Sequence, residues 1–570
     1  MKINFNKDGL IESIDVSKKG HDLVNCPFLN KNSGFSEEER DIFELHGIIP
    51  DSVETLEQQA HRAYLQISCK DSSLQKNIYL NSLYDRNETL CYYLMQNNIK
   101  ELLPIAYTPT IGEAVENYSL QARRPKGLFI SYENQDKIDE ILDQRVNEDI
   151  KLIVVTDGEG VLGIGDWGIG GIDISIGKLM VYTLCGGINP SNVLPLQLDV
   201  GTNNQKLLND PMYLGWKHPR IQGKEYDDFI AKFVSVVKKK FPGILLHWED
   251  FGRENARKNL EKYRESICSF NDDMQGTSIM TLANVLAATK SMDVKLKDQT
   301  IVMLGAGTAG VGCIDRICDA MVREGLSIDE ARKRCWLVDR QGLLQENDPQ
   351  LIEFQKPYAK NKEDISNWII PESNRIELVD VVKNINPTML IGCSTVRGAF
   401  TKEIIKHMAE HNKGRFIVMP LSNPTSLSEA TAEDLITWSE GRAIVATGSP
   451  FDPVTYHGMT YEIAQGNNAF IYPGLGLGAI ACSAKMITDN MLFAAAESLS
   501  NLSPMLKNPK ACLMPDLTEI KECNRTVAKA VIKQAVKDRV ASLIPDTDED
   551  LEILINKISW EPKYYKYNLI

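Results

Sequence analysis

From residue 36 to about 103, apolar residues recur at helical spacing, over 56–64, 74–84 and 89–95. Phe35-Ser-Glu-Glu-Glu-Arg40 reads as a helix start, with acids filling the first turn. This pattern predicts an all-helical N-terminal region behind a polar, loop-like stretch over 1–35. Past Pro104 the pattern changes to short, nearly continuous apolar runs, as in strands buried on both faces of a parallel sheet. They fall at 128–131, 151–156, 196–199 and 243–248, then at 301–304, 335–339, 389–393, 416–419 and 443–446. Helical patterns lie between several of them, beginning near Ile176, Asn255, Leu282 and Val311, and the alternation predicts an α/β fold. After Ala484 the pattern is helical to about Val540, and an acidic run over 546–552 and an aromatic tail over 560–567 follow.

Composition narrows the class. A chain of 570 residues exceeds one ordinary core and predicts two to four domains. With 63 basic against 77 acidic residues the net charge is −14, which argues against nucleic acid or an anionic membrane as the main partner. The uncharged stretch over 464–484 is interrupted by Gly, Asn and Pro473, which disfavours a membrane helix. Twelve scattered cysteines without a C-x-x-C pair predict reduced thiols in a cytosolic-type compartment. The first residues, MKINFNKDGLIESIDVSKK, lack an apolar core and arginine and make a poor signal or transit peptide. A cytoplasmic location is expected, with a mitochondrial matrix left open.

Candidate chemistry concentrates at strand ends. The run 243–248 leads into Glu249-Asp250, and Phe270-Asn-Asp272-Asp273 supplies a second acidic pair. Acids at the C-terminal end of an apolar strand, without a Cys/His set at zinc spacing, suit a hard cation such as Mg²⁺ or Mn²⁺. Such pairs are equally the solvated acids of ordinary turns, and spacing leaves both readings open. Lys178 lies in an apolar run, where burial would suit it to act as a general base; a snorkelling surface lysine is the alternative. Tyr107 before Thr-Pro-Thr is an uncommon arrangement, although a lone tyrosine is usually a packing residue or a turn contact.

Two segments match G-x-G-x-x-G. The copy over 163–168 neither follows its strand directly nor opens a helix cleanly, and is set aside as a nucleotide site. The second, Gly305-Ala-Gly307-Thr-Ala-Gly310, follows a strand directly and precedes a helix. It predicts dinucleotide binding, with Asp339 at the next strand end on a ribose hydroxyl. The spacing from Gly310 to Asp339 exceeds the usual ~20 residues because 325–333 reads as an inserted helical piece. NAD is expected over NADP, although Arg340 beside Asp339 could pair with a 2′-phosphate.

These blocks together resemble the malic enzymes. The series is Tyr107-Thr-Pro-Thr-Ile-Gly112, Thr156-Asp-Gly-Glu, Gly163-Ile-Gly-Asp166, Gly177-Lys178-Leu, Leu198-Asp-Val-Gly-Thr-Asn-Asn204, Trp248-Glu-Asp-Phe251 and Phe270-Asn-Asp-Asp273-Met-Gln-Gly-Thr, then Gly305-Ala-Gly307, Leu421-Ser-Asn423-Pro-Thr and Gln465-Gly-Asn-Asn468. The resemblance implies metal- and NAD-dependent oxidative decarboxylation of L-malate. It makes Glu249, Asp250 and Asp273 the metal ligands, Lys178 the base at the C2 hydroxyl, Asp272 the residue tuning that lysine, and Tyr107 the acid protonating the enol. Asn423 and Asn468 become substrate and nicotinamide contacts. It also implies a Rossmann-type NAD-binding domain over 274–463, a second α/β catalytic domain over 126–273 and 464–535, a helical region over 1–125, a tail over 536–570, and a homodimer or homotetramer. Gly160 stands where animal members carry a malate-binding arginine, with Arg124 the candidate replacement. Yeast-type malic enzymes and bacterial malolactic enzymes carry glycine there; Gly165-Asp-Trp167-Gly and Leu246-His-Trp248-Glu-Asp-Phe-Gly-Arg253 also look like malolactic enzymes, which release lactate and keep their nucleotide bound, whereas Tyr107-Thr-Pro-Thr and Arg124-Pro-Lys-Gly-Leu-Phe look like malic enzyme proper. A catalytically silent dinucleotide-binding protein is the alternative of another class. Arg62 and Arg86, with Glu54 nearby, match residues through which some animal members bind the activator fumarate.

Overall fold

The computed structural model describes residues 1–121, 123–145, 147–368 and 375–570. They form two compact units. The first comprises Met1–Asn271, Tyr472–Thr488 and Leu517–Ile570, and the second Asp272–Ile471 and Asp489–Asp516.

The first unit begins with strands where the pattern predicts loop. β1 (Lys2–Phe5) and β2 (Ile11–Val16) form an antiparallel hairpin, and the C-terminal strand Lys566–Leu569 lies parallel to β2. Helices follow at Leu56–Ser68, Ser73–Tyr84, Glu88–Asn97 and Ile99–Ala106, the first three opened by side-chain caps from Thr55, Ser72 and Asn87. The aromatic tail packs inward: Tyr567 meets the rings of Phe35 and Phe43, and the Tyr564 hydroxyl donates to Gln59 at 2.7 Å. Residues 1–125 and 536–570 thus share one unit with the sheet described next.

That sheet contains β3 (Leu128–Ser131), β4 (Leu152–Thr156), β5 (Val193–Asp199), β6 (Leu245–Trp248) and β7 (Ser269–Asn271) in the order β3-β5-β4-β6-β7. All its pairings are parallel. Every residue of β4 and β6 is buried, which explains their unbroken apolar runs. The chain goes from β4 to β5 on one side and to β6 on the other, so strand order reverses between β4 and β6. Ligand crevices of open α/β sheets lie at such reversals, beyond the carboxyl ends of the strands. The helix Ile172–Gly186 joins β4 to β5 and is buried along its whole length. It starts four residues before the expected Ile176, through the 3-10 turn Gly168–Gly171. The span Gly168–Gly186 is long and apolar enough to cross a membrane, but it is fully buried, as a core helix is.

The second unit is a doubly wound sheet. Its strands are β8 (Ile301–Leu304), β9 (Cys335–Asp339), β10 (Gly342–Leu343), β11 (Met389–Gly392), β12 (Phe416–Pro420) and β13 (Ala443–Thr447), with the hairpin β14 (Val454–Tyr456) and β15 (Met459–Tyr461) and then β16 (Ala464–Gln465). The sheet order is β10-β9-β8-β11-β12-β13-β16, parallel except for the β9–β10 pair. The reversal falls between β8 and β11, as in Rossmann-type folds. The stretch after Ala484, read as helical to about Val540, holds the helix Asp489–Ser500 of this unit and the helix Ile520–Lys537 of the first, with turns rich in Pro and Asn between them in sequence. All twelve cysteines are free thiols.

Candidate active site

In the first unit, Glu249 and Asp250 leave the end of β6 at the strand-order reversal, with relative exposures of 1% and 3%. Lys178 comes from the middle of the helix Ile172–Gly186, one turn beyond Ile174 on its buried length. Its Nζ lies 3.1 Å from Glu249 Oε1. The Tyr107 hydroxyl donates to the same oxygen at 3.4 Å, and Lys178 Nζ sits 5.1 Å above the Tyr107 ring and 4.6 Å above the Tyr472 ring. Lys178 is therefore buried within this cluster and does not snorkel to the surface. Burial pushes the Tyr107 phenol well above its usual range, and Lys178 pulls it back down. At neutral pH Tyr107 is a protonated acid with a proton to give.

The loop after β4 grips Asp250. Gly160 N–H donates to the Asp250 carbonyl at 2.9 Å and Leu162 N–H to its Oδ1 at 3.2 Å. Asp250 has φ +54, left-handed backbone that an aspartate tolerates better than most residues. A Cβ added at Gly160 would lie 2.7 Å from the Phe251 carbonyl oxygen, so the glycine is a packing requirement of this loop. The set-aside glycine motif serves the same loop. Its Asp166 accepts two bonds from the buried Arg220 guanidinium, 2.7 Å from Nε and 2.9 Å from Nη2. Arg220 Nη2 also donates to the Asp157 carbonyl at 2.9 Å. Burial raises Asp157 itself to about 6, against the pull of Arg220. Arg124 is exposed and donates to the Asp85 carbonyl at 3.4 Å.

In the second unit, Gly305 follows β8 with φ +95, and a Cβ there would lie 2.5 Å from the Cys393 carbonyl oxygen at the end of β11. A Cβ at Gly310 would come within 1.9 Å of the Gly305 carbonyl oxygen, whereas at Gly307 it would meet nothing within 4 Å. Gly305 and Gly310 are thus fixed by protein packing. Gly307 is left bare at the N-terminus of the helix Thr308–Arg323, as close approach by a pyrophosphate demands. Asp339 ends β9, and the buried Gln355 amide donates both to the Ala306 carbonyl, at 2.8 Å, and to Asp339 Oδ2, at 3.3 Å. Arg340 is exposed.

Asp272 and Asp273 open the π-helical turn Asp272–Gly276, directly after β7. Asn468 Nδ2 donates to Asp272 Oδ2 at 3.1 Å and to Thr277 Oγ1 at 3.2 Å. Asn423 accepts from Ser449 Oγ at 2.7 Å. In the first unit, Glu249 and Asp250 offer carboxylate oxygens, the donor type that suits a hard divalent cation rather than a thiolate-bound zinc.

In the N-terminal helices, Arg62 pairs with Glu54, which also accepts from Ser33 Oγ at 2.5 Å. Arg86 is exposed and donates to the Ser82 carbonyl at 3.0 Å. Several supporting residues escape sequence reasoning: His247, Tyr182, Arg220, Gln355 and Glu429. Glu429 is fully buried and accepts from Ser394 N–H and Oγ, each at 2.8 Å. His247 alone had a local signal, since it lies two residues before Glu249 on an apolar strand and alternation gives both one face.

The malic enzyme N-terminal domain model matches residues 84–264, and the malic enzyme NAD-binding domain model matches residues 274–536. The chain is 49% identical to the NAD-dependent malic enzyme of Photorhabdus laumondii subsp. laumondii over 552 residues, 97% of each protein. It is 48% identical to that of Acinetobacter baylyi over 567 residues, 100% of this chain and 99% of that protein. Among solved structures, the Entamoeba histolytica malic enzyme matches with TM-score 0.54 at 22% identity over 91% of both chains. The malic enzyme of Pyrococcus horikoshii Ot3 matches with TM-score 0.52 at 22% identity, over 80% of this chain and 89% of that one. At that identity the solved structures show a shared fold, but the two domain models and the near-half identity to curated relatives along nearly the whole sequence go further: this chain belongs to the malic enzyme family.

Proposed function

We propose that the protein converts L-malate to pyruvate and CO₂ with reduction of NAD, supported by Mg²⁺ or Mn²⁺. The observation that carries this reading is the buried cluster of Lys178, Glu249 and Tyr107, a base, a carboxylate and a protonated phenol within hydrogen-bonding reach. Glu249, Asp250 and Asp273 hold the cation, and the glycine loop from Gly305 to Gly310 holds the nucleotide with Asp339 on its ribose. When bound, the cation supplies positive charge beside the substrate oxygen and NAD supplies the hydride acceptor. Lys178 takes the proton of the C2 hydroxyl. Tyr107 returns a proton to carbon once CO₂ has left, and Lys178, 5.1 Å from its ring, favours the phenolate that remains. Asp272, held by Asn468, tunes Lys178, and Asn423 contacts substrate and nicotinamide. Assembly into a homodimer or homotetramer and a cytoplasmic location belong to the same reading, as does fumarate binding at Arg62 and Arg86 beside Glu54.

Purified protein with L-malate, NAD⁺ and Mn²⁺ tests the reaction. NADH and pyruvate in equal amounts support it, and EDTA must abolish both. Lactate without net NADH would make the protein malolactic. Neither product, with nucleotide still bound, would make it a silent binding protein.

A further inference from the structure

Behind the Lys178–Glu249 pair lies a second, fully buried layer that the proposed chemistry does not use. His247 precedes Glu249 by two residues and projects to the same side of β6. Its Nε2 is 2.7 Å from Glu249 Oε2, and its Nδ1 is 2.8 Å from the Tyr182 hydroxyl. His247 and Tyr182 are both 0% exposed. Three aromatic rings meet the imidazole edge to face: Tyr182, Tyr472 and Phe270, with centroids 5.6, 5.8 and 5.3 Å away. The ring cannot turn without displacing one of them.

The donor pattern follows from the partners. An ionised carboxylate only accepts, so the bond to Glu249 Oε2 is donated by Nε2–H, and Nδ1 is left to pair with the Tyr182 hydroxyl. One oxygen of Glu249 is thereby committed to His247. The other, Oε1, is the one 3.1 Å from Lys178 and 3.4 Å from Tyr107. We infer that His247, its ring held in place by Tyr182 and the surrounding aromatic rings, is a positioning residue that holds Glu249 through Oε2 and so sets where Oε1 faces Lys178, Tyr107 and the cation. The inference rests on the proposal that Glu249 binds that cation. Orientation of a ligating carboxylate by an outer hydrogen bond is worth about 10–100-fold in metal affinity.

The test is Mn²⁺ binding by titration calorimetry to the full-length protein, without substrate. It compares wild type with His247→Leu, His247→Gln, Tyr182→Phe, the His247→Gln/Tyr182→Phe double variant, and Glu249→Gln. His247→Leu is expected to weaken Mn²⁺ by about 10–100-fold. His247→Gln, whose amide can donate to the same oxygen, is expected to retain most of the affinity. Tyr182→Phe should weaken binding in the wild-type background and add little on top of His247→Gln. Thermal melts establish that each variant folds, and the Tyr182→Phe cycle decides the matter if His247→Leu does not. A folded His247→Leu that binds Mn²⁺ like wild type, while Glu249→Gln does not, overturns the positioning role and leaves the metal site standing. A His247→Gln protein no better than His247→Leu overturns the donor argument. Unchanged binding by Glu249→Gln overturns the metal reading and the inference with it.

Discussion

At the scale of single residues, the site works because three groups are buried with complementary needs. Lys178→Ala removes the base and is expected to lower malate-dependent NADH production by about 10²–10⁴-fold. Tyr107→Phe keeps the ring against Lys178 but removes the proton, so turnover should fall while malate KM changes little; steady-state rates of both variants check this. Gly160 poses the sharper question, because a side chain there meets the Phe251 carbonyl oxygen at 2.7 Å. Gly160→Arg should therefore push the loop off Asp250 and raise the Mn²⁺ Kd, without lowering malate KM. A lower malate KM would mean that the loop accommodates the arginine. Burial raises Asp157 from 3.8 to about 6 although Arg220 opposes it. The fold therefore favours the protonated acid, a stabilisation complete below pH 3.8 and lost as pH rises through about 6. Relative to wild type, Asp157→Asn should flatten the fall in unfolding free energy between about pH 4 and 7, read from urea titrations, by on the order of 3 kcal/mol. Parallel profiles would remove Asp157 from the account. The residues proposed to do chemistry could be picked out of the sequence because few types can do it and they stand in named blocks. Arg220, Tyr182 and Glu429 were not, since their roles depend on partners tens of residues away that only the folded chain supplies.

At the scale of elements, the strands of both parallel sheets were readable as apolar runs because burial on both faces leaves no polar alternation to confuse them. The strand-to-glycine-to-helix order identified the nucleotide loop. Two elements misled for physical reasons. β1 and β2 are short, and β2 takes its second partner, Lys566–Leu569, from the far end of the sequence. The stretch after Ala484 keeps helix-forming residues on both sides of a break whose prolines and asparagines stop one helix before the next begins. The proposed nucleotide preference rests on the end of β9, where Gln355 ties Asp339 to the glycine loop. Asp339→Ala should lower kcat/KM for NAD⁺ and raise it for NADP⁺, because Arg340 is then an unopposed cation. A variant that loses both activities equally would show that Asp339 serves the loop and not selectivity.

At the scale of the whole molecule, regulation is the open quantity. Arg62 already has a carboxylate partner in Glu54, so a dicarboxylate at Arg62 and Arg86 must compete with or bridge that pair. Malate saturation with and without millimolar fumarate tests this; fumarate is expected to lower apparent KM in wild type and to have no effect in Arg62→Ala. An effect that survives the substitution would place the switch elsewhere. The path of the chain has a further consequence, for synthesis on the ribosome. Every residue of the second unit has been made once residue 516 is in place, whereas the first unit still lacks 517–570, including the strand that pairs with β2. At ~5–20 residues per second, those remaining residues take roughly 3–11 s. The nucleotide-binding unit can thus fold while β2 still has an open edge, and the unit that starts first along the chain is the one completed last.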